Sequence, residues 1–356
     1  MSQQPPLPRK VALVVGARGV IGTSLVSHLV ELGDWEVIGL SRRGGVDEDR
    51  VRHVQVDLLD REDVTATVGR LSEVTHVFYA AYQDRPTWAE LVEPNLAMLT
   101  HVVDVVTQAA PDLAHVSLMQ GYKVYGAHLG PFRTPAREDD PPHLPPEFNV
   151  DQQAYLEEKQ RGSRWTWSAL RPSVVCGGAL GNPMNLAVSI AVLATISKAH
   201  GVPLRFPGKP GAWTSILEMT DAGLLAEATV WAATTPACAN QAFNITNGDL
   251  FRWDDLWPRL ADWFDLETAP PLPLSLEVAM ADKEGTWDRL VREHGLAPTP
   301  YSDVSAWPFA DFVLSWDYDV FADGSKARRL GFHRYVRTEQ MFLDIFEDLR
   351  ARRVIP

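Results

Sequence analysis

Short apolar runs and longer amphipathic stretches alternate along the first half of the chain. The run Val11-Ala12-Leu13-Val14-Val15 predicts a strand, and residues 20–32, with apolar side chains at helical spacing, predict a helix. Further strands are predicted at 35–40, 51–56, 75–81, 114–119 and 165–170, with helices at 88–108 and 151–160. Such alternation from residue 11 to about 172 is the pattern of a doubly wound parallel α/β sheet. Proline crowds residues 131–146, which read as a surface loop. Beyond Pro172 the pattern loosens into helices near 184–200, 220–234 and 253–264, separated by short strands such as 242–245.

Between the first strand and helix stands Gly16-Ala17-Arg18-Gly19-Val20-Ile21-Gly22. Glycine is needed where a turn takes unusual backbone angles, or where a side chain would keep a pyrophosphate from the helix N-terminus. Strand, glycine turn and helix in that order form the dinucleotide-binding start of a Rossmann-type fold. The second strand ends in Ser41-Arg42-Arg43, where an NAD site usually carries an acid for the ribose hydroxyls. Two arginines, with Arg18 in the turn, suit the 2′-phosphate of NADP instead, although a basic pair at a strand end also occurs simply solvated. NADPH is therefore the expected cofactor. Asp57, with Leu58 beside it, closes the third strand at the adenine edge, and Ala80 and Ala81 end the fourth on the cofactor's far side.

A length of 356 residues with 46% apolar content allows one large α/β domain or a core with a smaller lobe. The expected division is a flexible tail over 1–9, an NADP-binding domain over 10–172 and a substrate lobe over 173–356 with segments returning to the core. That lobe, rich in tryptophan and proline, would close over the nicotinamide. A net charge of −13 argues against nucleic acid and anionic membrane surfaces as partners. Two cysteines, Cys176 and Cys238, fit a reducing, cytoplasmic setting, and ten scattered histidines give no ligand-spaced metal cluster. Residues 1–10 lack an apolar signal core, and the apolar stretch 184–196 is too short to span a bilayer. Trp213 and the tryptophans at 253–263 are read as core.

After the fifth strand the chain reads Met119-Gln120-Gly121-Tyr122-Lys123-Val124-Tyr125-Gly126. Extended short-chain dehydrogenases usually place a catalytic serine or threonine three residues before the valine, where this chain has Gly121, and Lys123 follows. This element resembles the progesterone 5β-reductase and iridoid synthase-like family of that superfamily. The likeness extends through Thr75-His76-Val77-Phe78-Tyr79, Gly130-Pro131-Phe132, Leu204-Arg205-Phe206-Pro207-Gly208 and Ala242-Phe243-Asn244-Ile245-Thr246-Asn247. It implies an extended Rossmann-type fold and NADPH-dependent hydride transfer to a C=C bond conjugated with a carbonyl. It further implies that Lys123 stabilises the enolate oxygen or orients the cofactor by its ribose hydroxyl, and that Gln120 and Pro172-Ser173-Val174-Val175 meet the cofactor. Proline at a strand end also simply ends the strand.

The family's tyrosine lies in a motif close to Asn-Phe-Tyr-Tyr, where this chain has Glu147-Phe148-Asn149-Val150-Asp151. One reading keeps conjugate reduction, with Lys123 holding the enolate and Asn149 donating an amide hydrogen bond. A second moves the tyrosine to Tyr155, four residues before Lys159 on one helix face, and makes the enzyme a ketone or aldehyde reductase. Tyr122 and Tyr125 are further candidates. A third keeps NADPH binding without redox chemistry, as a sensor, isomerase or cyclase. The expected partners are a small carbonyl or enone substrate and a second copy of the chain in a homodimer.

Overall fold

The computed structural model describes residues 10–356, so the expected tail over 1–9 lies outside the described residues. The chain runs β1 (Lys10–Val15), α1 (Val20–Leu32), β2 (Trp35–Ser41), β3 (Val51–Gln55), α2 (Arg61–Val68), β4 (His76–Tyr79) and α3 (Trp88–Ala109). It continues with β5 (His115–Met119), a 3-10 turn over Tyr122–Tyr125, α4 (Phe148–Gln160), β6 (Thr166–Pro172), β7 (Val174–Cys176) and α5 (Leu186–Ala199). Then come β8 (Leu204–Arg205), α6 (Pro210–Thr214), β9 (Met219–Asp221), α7 (Ala222–Thr234), β10 (Gln241–Ile245) and α8 (Trp253–Trp263). The last elements are β11 (Thr268–Ala269), α9 (Leu276–Ala279), α10 (Glu284–Glu293), α11 (Trp307–Leu314), α12 (Ser325–Arg329) and α13 (Thr338–Ala351).

Seven parallel strands form the main sheet in the order β10-β6-β5-β4-β1-β2-β3. Their near-continuous apolar character follows from burial on both faces. The two-residue period of a strand divides β1 between two cores. Val11, Leu13 and Val15 pack with Val64 and Val68 of α2, Leu99 and Val103 of α3 and Leu156 of α4. Ala12 and Val14 face the other way, against Leu25 and Leu29 of α1 and Ala226 and Val230 of α7. Strand order reverses between β1 and β4, which is where open α/β sheets bind ligands, beyond the carboxyl ends of the strands.

The largest core lies in the C-terminal half. There α5, buried along nearly its whole length, is surrounded by Trp253 and Trp257 of α8, Trp307 and Val313 of α11 and Phe342 and Phe346 of α13. The tryptophans at 253 and 257 are fully buried, as expected of core residues. Among the described residues no helix is long and apolar enough to cross a membrane.

Several boundaries differ from the periodicity. The fourth strand stops at Tyr79, leaving Ala80 and Ala81 in the following loop. Helix α4 starts three residues before 151, because the Glu147 carboxylate accepts the Val150 N–H at 3.2 Å and caps the helix. Helix α7 starts at Ala222 rather than 220, since residues 219–221 pair with β7 and Asp221 accepts the Leu224 N–H at 2.7 Å. Helices α9 to α13 have no counterpart in the sequence reading.

Candidate active site

A cleft of about 740 Å³ opens beyond the strand ends at the β1/β4 reversal. Every expected cofactor residue except Gly22 lines it, and so do Lys123 and Asn149. The turn after β1 shows why glycine is required there. Gly16 has φ of 88°, and a Cβ on it would meet the backbone of Ala80 and Ala81 at 2.9 Å. Gly19 precedes α1 without a side-chain cap, and Gly19, Val20 and Ile21 line the cleft. At the end of β2, Arg18 donates to the Gly44 carbonyl at 3.0 Å and Arg42 to Gln83 Oε1 at 3.3 Å. Asp57 receives the Leu59 N–H at 3.0 Å on Oδ1, one carboxylate oxygen of two.

Gly22 is a correction to the expected cofactor set. It does not line the cleft; a Cβ there would meet the Gly16 carbonyl oxygen at 2.2 Å. Its role is to let α1 pack against the turn. The Tyr155–Lys159 pair is the second correction. Both side chains bind Asp104 Oδ1 of α3, the hydroxyl at 2.9 Å and the ammonium at 2.6 Å, and neither lines the cleft. The helix face carrying them packs against α3.

At the other end of the cleft, the 3-10 turn after β5 brings in Lys123. Its Nζ lies 5.3 Å from the Tyr82 ring centroid and 4.9 Å from that of Trp88. Among the described residues it makes no hydrogen bond or ion pair. Burial pushes its pKa below the usual lysine value, opposed by the negative charges of Glu147 and Asp84. Asn149 is buried at the start of α4, and its Nδ2 donates to Glu147 Oε1 at 2.6 Å. Its backbone carbonyl accepts from Gln120 Nε2 at 2.8 Å. Burial pushes the Glu147 carboxyl upward, against the hydrogen bonds of Asn149 and Val150 and the Lys123 charge.

The remaining tyrosines near Lys123 already have partners. The Tyr122 hydroxyl donates to Glu218 and the Tyr125 hydroxyl to Asn244 Oδ1 at 2.6 Å. Tyr125 also accepts from Arg171 at 3.0 Å, and that buried arginine donates to Gln120 Oε1 at 2.9 Å. His128 lines the same end; burial, then the Lys123 and His143 charges, lower its pKa to about 4, so its imidazole is neutral at neutral pH. Tyr82, Phe309, Phe312 and Trp316 complete an aromatic wall that the sequence reading did not include. A tyrosine shortly after the fourth strand was the available signal for the first. The other three depend on α11 folding back over the cleft.

These features define a dinucleotide-binding oxidoreductase of the short-chain dehydrogenase/reductase type. The PRISE-like Rossmann-fold domain matches residues 45–356, and the chain belongs to that family. An (S)-8-oxocitronellyl enol synthase of Nepeta racemosa is 35% identical, over 97% of this chain and 93% of its own. A 3-oxo-Delta(4,5)-steroid 5-beta-reductase of Arabidopsis thaliana is 33% identical, over 97% and 93%. Among solved structures, a Thermus thermophilus UDP-glucose 4-epimerase in complex with NAD superposes with a TM-score of 0.65 at 19% identity, over 95% of this chain and 99% of that one.

Proposed function

We propose that this chain is an NADPH-dependent reductase of a carbon–carbon double bond conjugated to a carbonyl. The observation that carries the reading is the Lys123 ammonium, which faces the cleft with no acceptor among the described residues. The cofactor assignment is supported by a cradle that a Cβ at Gly16 would block and by the uncapped start of α1. Arg18, Arg42 and Arg43 line the cleft at the end of β2, where an NAD site would carry an acid. Ser41 and Asp57 flank them, and Pro172 to Val175 line the opposite side.

When bound, NADPH supplies a hydride, which at the β-carbon of an enone opens the C=C π bond and leaves an enolate with negative charge on the carbonyl oxygen; solvent water supplies the proton that completes the saturated carbonyl. Lys123 holds that oxygen with N–H donors that no protein group occupies. The apolar wall of Phe309, Phe312, Met98 and Met184 accommodates a hydrocarbon skeleton. Asn149 orients Glu147 through its amide, and its carbonyl fixes Gln120, so it shapes the site at α4. The names of the relatives, enol synthases and a steroid 5-beta-reductase, are consistent with enone chemistry.

The test is NADPH consumption with enones, enals and the matching saturated ketones, with the products identified. Saturated carbonyl products are expected, and Lys123→Met lowers kcat by about 10²–10³-fold while leaving NADPH affinity within a few-fold. Alcohol products would replace this reading with carbonyl reduction. Tight NADPH binding without consumption of any substrate would replace it with a non-redox role.

A further inference from the structure

Lys123 poses a physical problem that its surroundings answer. A buried ammonium is usually paired with a carboxylate, but such a partner would compete with a substrate oxyanion for the same N–H groups. The Glu147 and Asp84 carboxylates act on Lys123 only through space, and neither is bonded to it. What stands against the ammonium is two aromatic faces, within the distance at which a ring quadrupole attracts a cation.

Both rings are held by contacts of their own. The Tyr82 hydroxyl donates to Asp84 Oδ1 at 2.9 Å, and its ring packs on Phe148 at 5.8 Å between centroids. Trp88 opens α3 behind the Thr87 cap, whose hydroxyl accepts the Glu90 N–H at 3.3 Å. Its ring meets the edge of His128 at 4.6 Å. The loop between the two aromatics is clamped by the buried Asn95, which accepts the Gln83 N–H at 2.9 Å and donates to the Gln83 carbonyl at 2.8 Å.

Building on the enone-reductase reading, we propose that Tyr82 and Trp88 form an aromatic seat that positions the Lys123 ammonium in the cleft and leaves its N–H donors free for the substrate's carbonyl oxygen. A π face attracts the cation without accepting its hydrogen bonds as a carboxylate would, so the oxyanion displaces nothing when charge develops on it. Both aromatics are positioning residues. The groups facing Lys123 that also bear on its titration are Asp84 from the loop, His128 after the 3-10 turn and Glu147 at the start of α4.

The titration of Lys123 is measured in the full chain by pH-dependent competitive acetylation with acetic anhydride and peptide mass spectrometry. This readout does not depend on catalysis. Trp88→Leu and Tyr82→Leu replace a ring with apolar bulk, and each is expected to lower the Lys123 midpoint relative to wild type. Each is also expected to cut kcat on an enone by about tenfold with KM nearly unchanged. Trp88→Phe and Tyr82→Phe keep a ring and are expected to restore most of both quantities. An unchanged or raised midpoint in both leucine variants would overturn the seat. So would loss of turnover in Tyr82→Phe at an unchanged midpoint, because that would assign the hydroxyl, not the ring. If wild type consumes no NADPH with any enone, the enone reading fails, while the midpoints still decide whether the rings hold the ammonium.

Discussion

Asn149 and Val150 stand where the family motif has two tyrosines, and the Asn149 amide is engaged with Glu147 at 2.6 Å. Tyr155, another candidate to replace that tyrosine, is engaged with Asp104, which Lys159 also binds. Its phenol pKa is pushed up by burial and by the Asp104 carboxylate, the opposite of what a proton relay needs. Tyr155→Phe is therefore expected to leave enone turnover within twofold of wild type and to reduce stability by about 0.5–1.5 kcal/mol, read from urea unfolding. A large loss of turnover at unchanged stability would return Tyr155 to the mechanism. The four-residue spacing of Tyr155 and Lys159 correctly placed them on one helix face, but spacing cannot say what that face meets. Lys123 was legible because a short local motif carries it. Its partners Tyr82 and Trp88 were not, because they come from a different loop.

Elements near the glycine turn were the easiest to read. The strand, turn and helix over residues 10–32 are specified by local sequence, apolar runs and glycines, with no distant partner required. The loop joining β4 to α3 is the opposite case, since its shape is fixed by Asn95 inside the following helix. Asn95 donates to the carbonyls of Gln83 and Leu91 and accepts the Gln83 N–H, all while fully buried. From sequence alone it is one polar residue in an amphipathic helix. Asn95→Leu keeps the side-chain volume but strands the Gln83 backbone groups, with an expected loss of about 1–3 kcal/mol in urea unfolding. Because the loop carries Tyr82, kcat in the proposed enone reduction should fall by a larger factor than NADPH affinity, although Gln83 also meets Arg42 at the proposed cofactor end. Equal losses in both would mean that the whole sheet edge had been disturbed.

At the scale of the whole molecule, Glu218 links distant parts of the chain. Its carboxylate accepts from Tyr122, next to Lys123 in the 3-10 turn, and from the Ala322 N–H at 2.6 Å, and its backbone carbonyl accepts the Ser173 hydroxyl at 2.8 Å. Sequence reading missed this junction because residues 122, 173, 218 and 322 belong to four separate segments, and the pattern after Pro172 had already lost its regular period. Burial raises the Glu218 carboxyl from its ordinary 4.5 to about 7, despite the hydrogen bonds that favour its charged form. The folded state therefore holds a proton more tightly than the unfolded chain, and Glu218's contribution to stability falls as pH rises from about 4.5 through 7. Buried His76 and His115, lowered to about 4 and about 3 chiefly by burial, act in the opposite sense, destabilising the fold as pH falls through their range. The net pH profile of wild type thus mixes both signs, and a difference measurement is needed to isolate Glu218. Glu218→Gln retains an oxygen that can accept from Tyr122 and Ala322 but removes the titration. Between pH 5 and pH 8, urea unfolding should show wild type losing more stability, or gaining less, than the glutamine variant. Parallel profiles would mean that Glu218 is ionised throughout, with its charge stabilised by the network rather than suppressed by burial.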